Sequence, residues 1–191
     1  EGCMDTAFRK DYLVVSGPIP DFKLYNTTGC EPLEVQVVDR SMNAKRIYFN
    51  YNDGSPLDST KIDSIIGIHQ YQNVSNNLIQ KIKPTFIVYD SLGCVSFSEN
   101  EEITIYKKPI IKAQYPNDTF GCVDFNLVFS DEGSYSSSWL WELDGNSIST
   151  RQEDSITIQN HTDHILQLIS SNFYCSDTIN QTIVGHEKPK V

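Results

Sequence analysis

Two imidazoles and a carboxylate, side chains that handle protons or metals, fall within four residues at His161-Thr-Asp-His164. A zinc site draws closely spaced ligand pairs, and no cysteine or glutamate joins this group at a familiar distance. On an extended or looped segment its members need not face one point, so it reads as solvated loop. Oxygen donors also gather at Asn50, Asn52 and Asp53. Their spacing is not that of a calcium loop, and a turn accounts for them equally well. No cofactor is expected, calcium at these oxygens being the one alternative. Asp131-Glu132 offers two carboxylates of the kind a glycosidase uses, but the adjoining Gly133 marks a turn. No Gly-x-Ser-x-Gly, phosphate loop or zinc-protease motif occurs, so the expectation is that the chain is not an enzyme.

Cysteine chemistry is the stronger lead. The chain has five cysteines, Cys3, Cys30, Cys94, Cys122 and Cys175, and none lies in a Cys-x-x-Cys pair. That spacing disfavours zinc and favours disulfides in an oxidising compartment. The cysteines sit in a repeat. Gly2-Cys3 is followed by Pro18 and then Gly29-Cys30, and Gly93-Cys94 by Pro109 and then Gly121-Cys122. Each stretch reads as the last strand of one unit, a proline, and the first strand of the next. The expected organisation is residues 1–19 closing an upstream unit, then complete units at 20–108 and 109–191. Opening inside a motif at Glu1-Gly2-Cys3 predicts a piece of something longer. Pairing the start of each unit with its own end predicts Cys30–Cys94 and Cys122–Cys175, with Cys3 left unpaired. In the chain-entropy picture each such loop contributes about 4 kcal/mol.

The elements that carry the cysteines repeat at fixed offsets. Three, five and seven residues beyond the first cysteine stand Leu33, Val35 and Val37, against Phe125, Leu127 and Phe129. Seventeen, nineteen and twenty-one beyond it stand Ile47, Phe49 and Tyr51, against Trp139, Trp141 and Leu143. Apolar residues alternating with polar ones mark half-buried strands. Each second strand ends in a turn dipeptide, Asp53-Gly54 or Asp144-Gly145. Further strands are predicted at Thr85–Tyr89, Ile103–Tyr106, Ile165–Ile169 and Thr182–Val184, and at Tyr12–Val15 near the start. Residues 57–77 read as an edge strand or a loop. No segment sustains a helical period with caps, so the fold class is all-β, tandem two-sheet sandwiches. The connections Ser16-Gly-Pro-Ile-Pro20 and Lys107-Lys-Pro-Ile110 are short and proline-stiffened, which predicts a string of beads.

This pattern resembles the PKD domain, an immunoglobulin-like β-sandwich of surface proteins. Phe49-Asn-Tyr51-Asn-Asp53-Gly54 resembles that family's Trp-x-aromatic-Gly-Asp-Gly signature, with phenylalanine for tryptophan and asparagine for the first glycine. Trp141-Glu-Leu-Asp144-Gly145 resembles it with one residue fewer before the aspartate, and His69-Gln-Tyr71 resembles the family's His-x-Tyr. The Gly-Cys pairs resemble disulfide-bearing variants from secreted proteins of gliding Gram-negative bacteria, including adhesins carried by the type IX secretion system. The resemblance implies a PKD-like sandwich with Phe49, Tyr51, Trp139 and Trp141 around its core signature. It also implies an extracellular setting in gliding or surface attachment.

A net charge of −10 disfavours a nucleic-acid partner, and no apolar run has membrane-spanning length, so direct membrane insertion is not expected. The expected partners are neighbouring repeats, surface proteins or glycans. Tyr48, Tyr135 and Tyr174 fall off the apolar face or in turns, where rings stack on sugars or partner side chains; Tyr48 and Tyr135 are the candidate ligand contacts. Asp-Ser/Thr tripeptides resembling the bacterial O-glycosylation signal place candidates at Thr6, Ser59, Ser64, Ser91, Ser155 and Thr178. Asparagine sequons stand at Asn26, Asn73, Asn117, Asn160 and Asn180. The expected role is a non-catalytic stalk or adhesive segment of a large secreted protein. The alternatives are a specific recognition module or the spacer of a secreted enzyme.

Overall fold

The computed structural model describes residue 6 and residues 17–60, 65–98 and 101–189. Cys3, Ser64 and the strand expected at 12–15 lie outside these. Every regular element among the described residues is a strand. The first repeat supplies β1 (Phe22–Tyr25), β2 (Thr28–Cys30), β3 (Leu33–Asp39), β4 (Arg46–Asn50), β5 (Asp58–Thr60), β6 (Ile65–Tyr71), β7 (Ile79–Ile82), β8 (Thr85–Tyr89), β9 (Val95–Ser98) and β10 (Ile103–Tyr106). The second supplies β11 (Ala113–Gln114), β12 (Phe120–Cys122), β13 (Phe125–Asp131), β14 (Ser138–Leu143), β15 (Asn146–Ser149), β16 (Glu153–Ile158), β17 (Asp163–Ser171) and β18 (Ser176–His186). Residues 57–77, ambiguous in sequence, thus contribute two strands, β5 and β6.

Strand order gives the architecture. In the second repeat one sheet runs β11-β13-β16 and the other β12-β18-β17-β14-β15. The first repeat has β1-β3-β6 opposite in role to β5-β4-β8-β9, with β2-β10-β7 as a third sheet. In both, a short early strand runs parallel to the end of the last one: Thr28–Cys30 beside Thr104–Tyr106, and Phe120–Cys122 beside Val184–His186. This division of antiparallel strands between two sheets is the immunoglobulin-like sandwich. Smaller features repeat with it. Isolated bridges join Ile19 to Met42 and Ile110 to Ser134. Left-handed residues recur at Asn43 and Tyr135, and at Asn52 and Asp144.

The described residues fall into two compact units, one within Glu1–Tyr25, Val35–His69 and Ile82–Ile103, the other within Asn26–Glu34, Gln70–Lys81 and Thr104–Val191. The first is centred on aromatics: Phe22, Phe49 and Phe86 pack with ring centroids 5.4–5.8 Å apart, and Phe49 meets Tyr51 edge-on. Val35, Val37, Ile47 and Val88 are buried in the same unit. The second is centred on Trp141, tilted against Phe129 at 4.5 Å and surrounded by Leu127, Ile158, Leu166, Leu168 and Ile183. Alternation along β3, β4, β13 and β14 is what turns these residues inward.

The cysteines pair otherwise than expected. Cys30 is bonded to Cys175, with Cα atoms 5.9 Å apart, while Cys94 and Cys122 are free and exposed. The expected Cys30–Cys94 and Cys122–Cys175 bonds are therefore corrected, and β18 supplies the reason. Cys175 precedes the first residue of this eleven-residue strand, whereas Cys122 lies opposite His186, its last. A strand of that length holds the two roughly 36 Å apart at ~3.3 Å per residue, and a disulfide needs Cα atoms within about 7 Å. The first repeat has the same design, with Cys94 just before β9 and Cys30 opposite Tyr106 at the end of β10.

Trp141 is fully buried, and its indole N–H donates to the Arg151 carbonyl. Trp141→Ala is expected to lower the unfolding free energy by about 3–5 kcal/mol in urea denaturation. A loss below ~1 kcal/mol would mean that the tryptophan is not the centre of this core.

Candidate functional site

The residues around Cys30 and Cys175, all in the second compact unit, form a polar and aromatic cluster that bridges distant parts of the chain. β2 brings Cys30 alongside Tyr106, and the Glu31 N–H donates to the Tyr106 carbonyl at 2.9 Å. The turn before β18 brings Cys175. In that turn Asn172 Oδ1 accepts the N–H groups of Tyr174 and Cys175 at 2.9 and 2.8 Å. The rings of Tyr106 and Tyr174 stack beside the bond, centroids 4.2 Å apart and nearly parallel.

Polar contacts extend from there along the connecting segment. Asn172 Nδ2 donates to the Lys107 carbonyl, and the Lys107 ammonium donates to the carbonyls of Asn73 and Ser75 while lying over the Tyr135 ring at 5.2 Å. Glu31 accepts the N–H groups of Asn73 and Lys108 through its two carboxylate oxygens. The connection Lys107-Lys-Pro-Ile110 is thus held by specific contacts as well as by its proline. Tyr135 and Tyr174, noted in the sequence as ring-stacking candidates, spend their faces on Lys107 and Tyr106. Asn73, a sequon asparagine, is buried with its amide donated to the carbonyls of Asn77 and Ile105, so it has no room for a glycan.

The histidines divide differently from their sequence grouping. His161 and Asp163 are exposed, whereas His164 is buried with Nδ1 2.6 Å from Asp144 Oδ2. The Ile165 N–H donates to the other oxygen of the same carboxylate. These hydrogen bonds, that from His164 first, hold the Asp144 carboxyl below its usual range. The first repeat builds a matching pair from another strand: His69 Nε2 lies 2.6 Å from Asp53 Oδ2, and its ring stacks on Tyr51 at 3.7 Å. Burial opposes ionisation of Asp53, but Ser55 and His69 outweigh it and its carboxyl also sits low. Each pair clamps the turn after the central strand. Asn52, one of the oxygen donors noted in the sequence, instead donates its amide to the Lys83 carbonyl and the Thr85 hydroxyl.

Asp131 is a buried structural node. Its Oδ1 accepts the N–H groups of Lys112 and Gly133, and its Oδ2 accepts the Trp139 indole N–H at 3.0 Å. Asp39 stands at the same offset in the first repeat, also buried, and accepts the Ser41 N–H. That recurrence was the signal available in the sequence. Among the described residues no three His, Cys, Asp or Glu side chains gather as metal ligands would.

No family model matches the sequence, and the curated proteins yield no match either. Solved structures do align. The fibronectin(III)-like modules of Clostridium thermocellum CbhA are 11% identical over 89% of this chain and 94% of theirs, with a TM-score of 0.35. The amphioxus IgVJ-C2 molecule is 11% identical over 82% and 99%, at 0.35, and murine CEACAM1b is 9% identical over 90% and 100%, at 0.33. The immunoglobulin-like assignment rests on the strand order itself.

An open face lies in the first repeat. On the sheet β5-β4-β8-β9, Tyr48, Arg46, Ile87 and Tyr89 line a shallow depression closed at one side by Leu57. Tyr48 meets Tyr89 edge-on, and the Arg46 guanidinium lies over the Tyr89 ring at 5.5 Å. Phe97, opposite Ile87, is 70% exposed. Of the O-glycosylation candidates, Thr6, Ser59, Ser91, Ser155 and Thr178 are all exposed.

Two outcomes follow from these environments. A carboxyl held low by hydrogen bonds favours the folded state above its unfolded value of about 3.9, and that contribution disappears as pH falls through the folded value. NMR titration is therefore expected to show Asp144 ionising below 3.8, with His164→Gln moving its midpoint back upward; an unmoved midpoint would remove the pairing. At Cys94, the Asp90 carboxylate raises the thiol above its usual range by charge and by hydrogen bonding. Asp90→Asn is expected to accelerate alkylation of Cys94 by iodoacetamide at pH 8, and an unchanged rate would show the carboxylate to be irrelevant.

Proposed function

We propose that the chain is a non-catalytic repeat segment of a secreted or cell-surface protein, serving as a stalk or adhesive module on PKD-like sandwiches. The observation that carries this reading is the Cys30–Cys175 bond, which ties one sequence repeat to the next across 145 residues. In the chain-entropy picture a loop of that length contributes about 5 kcal/mol. Such a bond persists in an oxidising compartment and is lost in a reducing one, which supports an extracellular location. A module whose task is to endure outside the cell, without chaperones, gains from suppressing local opening at its connections. Attachment to a gliding Gram-negative surface, and export by a type IX system, extend the same reading from the motif resemblance. Glycosylation at Thr6, Ser59, Ser91, Ser155 or Thr178 would add to the protection, and the intact mass of native-source protein tests it.

A second reading is favoured by the face carrying Tyr48, Arg46, Tyr89 and Phe97. Open aromatic rings beside an arginine suit the stacking of a sugar or of a partner's side chains. The two readings separate by experiment. Cys175→Ser, or mild reductant, is expected to raise the rate of limited proteolysis near Pro109 at least tenfold. Equal rates with and without the bond would remove the stalk argument. Glycan-array binding that vanishes on Tyr48→Ala would instead make recognition the principal role.

A further inference from the structure

The two free cysteines occupy the same structural positions as the two bonded ones. Cys122 is to the second repeat what Cys30 is to the first. Each ends a three-residue strand paired in parallel with the close of its repeat, opposite His186 and Tyr106 respectively. Each is followed by an N–H donating to that opposite residue's carbonyl, Val123 to His186 and Glu31 to Tyr106, both at 2.9 Å.

Cys94 is likewise to the first repeat what Cys175 is to the second. Asp90 Oδ1 accepts the N–H groups of Leu92 and Cys94, both at 2.8 Å, just as Asn172 Oδ1 accepts those of Tyr174 and Cys175. The Asp90 N–H donates to the Cys94 carbonyl, as that of Asn172 does to Cys175. Left-handed Asn43 stands at the offset of left-handed Tyr135.

The ground around the two turns differs in one respect. By Cys175 it is occupied, with Lys107 over Tyr135, Asn172 donating to the Lys107 carbonyl, and Tyr106 stacked on Tyr174. By Cys94, among the described residues, a depression lined by Asn43, Ala44, Lys45, Asp90, Ser91 and Leu92 lies open. Leu92, which matches Tyr174, is 87% exposed against 37%.

We infer that Cys94 and Cys122 are the two halves of a repeating inter-repeat disulfide. Cys94 takes the short-strand cysteine of a preceding repeat, and Cys122 takes the turn cysteine of a following one. The occupant of the open depression is the closing segment of another repeat of this kind. The chemistry is thiol–disulfide exchange with a small-molecule disulfide as oxidant. One thiolate attacks the oxidant and expels a first thiolate, and the partner cysteine's thiolate then attacks the mixed disulfide and expels the second. One protein disulfide forms, and the two expelled thiolates take up, through solvent, the two protons lost by the cysteines, so that the oxidant leaves as two thiols. The inference extends the stalk reading without needing it, and the protease test above is independent of it.

The test uses the full chain with Cys3→Ser, extended by joining Pro189 to Ile19 of a second copy. This sets Cys122 and the second copy's Cys94 at nearly the separation that divides Cys30 from Cys175. After oxidation in a glutathione redox buffer, peptides are mapped under non-reducing conditions. The expected result is the bond from Cys122 to the second copy's Cys94, at least tenfold over any other linkage of Cys122. Cys30–Cys175, formed in each copy, reports that the repeats have folded. Changing the second copy's Cys94 to serine should leave Cys122 open to alkylation. The inference is overturned if Cys122 stays free, stays glutathionylated or bonds elsewhere while Cys30–Cys175 forms. It falls equally if Cys30–Cys175 itself does not form, since that bond is its template.

Discussion

The parallel pairing of a three-residue strand with the end of its repeat's last strand governs where every described cysteine reaches. Thr28–Cys30 and Phe120–Cys122 are too short to stand alone, and they take their direction from Thr104–Tyr106 and Val184–His186. That direction carries each short-strand cysteine to the closing end of its repeat, while the turn cysteine sits at the opening end of the last strand. The Gly-Cys spacing fits this. A side chain at Gly121 would crowd the Phe125 ring, its Cβ coming within 2.8 Å, and one at Gly29 would crowd Leu33 at 2.9 Å. A bond between repeats is the geometric consequence, because the two cysteines of one repeat stand at opposite poles.

Much of the sandwich was legible from offsets alone. Val35, Val37, Ile47, Phe49, Leu127 and Trp141 lie inside because alternation along a strand is a local property, visible without knowing the fold. The strands Thr85–Tyr89 and Ile103–Tyr106 occur as expected. Cysteine pairing was not legible, because the repeat reveals which cysteine comes first and last in a unit but not at which pole each sits. Pairing first with last assumed that a unit closes on itself.

The clamps on the turns were hidden for a related reason. His164 reads as part of a polar loop, and its partner Asp144 lies twenty residues upstream in the turn after β14. Comparing repeats does not expose it, since the first repeat draws His69 from β6 and the second draws His164 from β17. Asp131 was masked by its own neighbours: beside Glu132 and Gly133 it looks like a turn residue, yet its carboxylate is buried under Trp139. Only the recurrence of aspartate at Asp39 and Asp131 pointed to a structural role.

The Cys30–Cys175 bond also changes how the chain would lengthen if its ends were pulled apart. A bare polypeptide of 191 residues can be drawn out to roughly 670 Å at ~3.5 Å per residue. With the 145-residue span bypassed by a covalent bond, only about 46 residues lie on the path that bears the load, or roughly 160 Å. Tension entering at one end passes through sulfur to the other, and everything from Glu31 to Tyr174 is spared it. The strands within that span could melt without adding to the reach. The strands between the two sulfurs lie outside the load path, whereas β1, β2 and β18 lie on it, so the reach is capped by the covalent bond and the resistance to the first extension comes from the hydrogen bonds of those three strands.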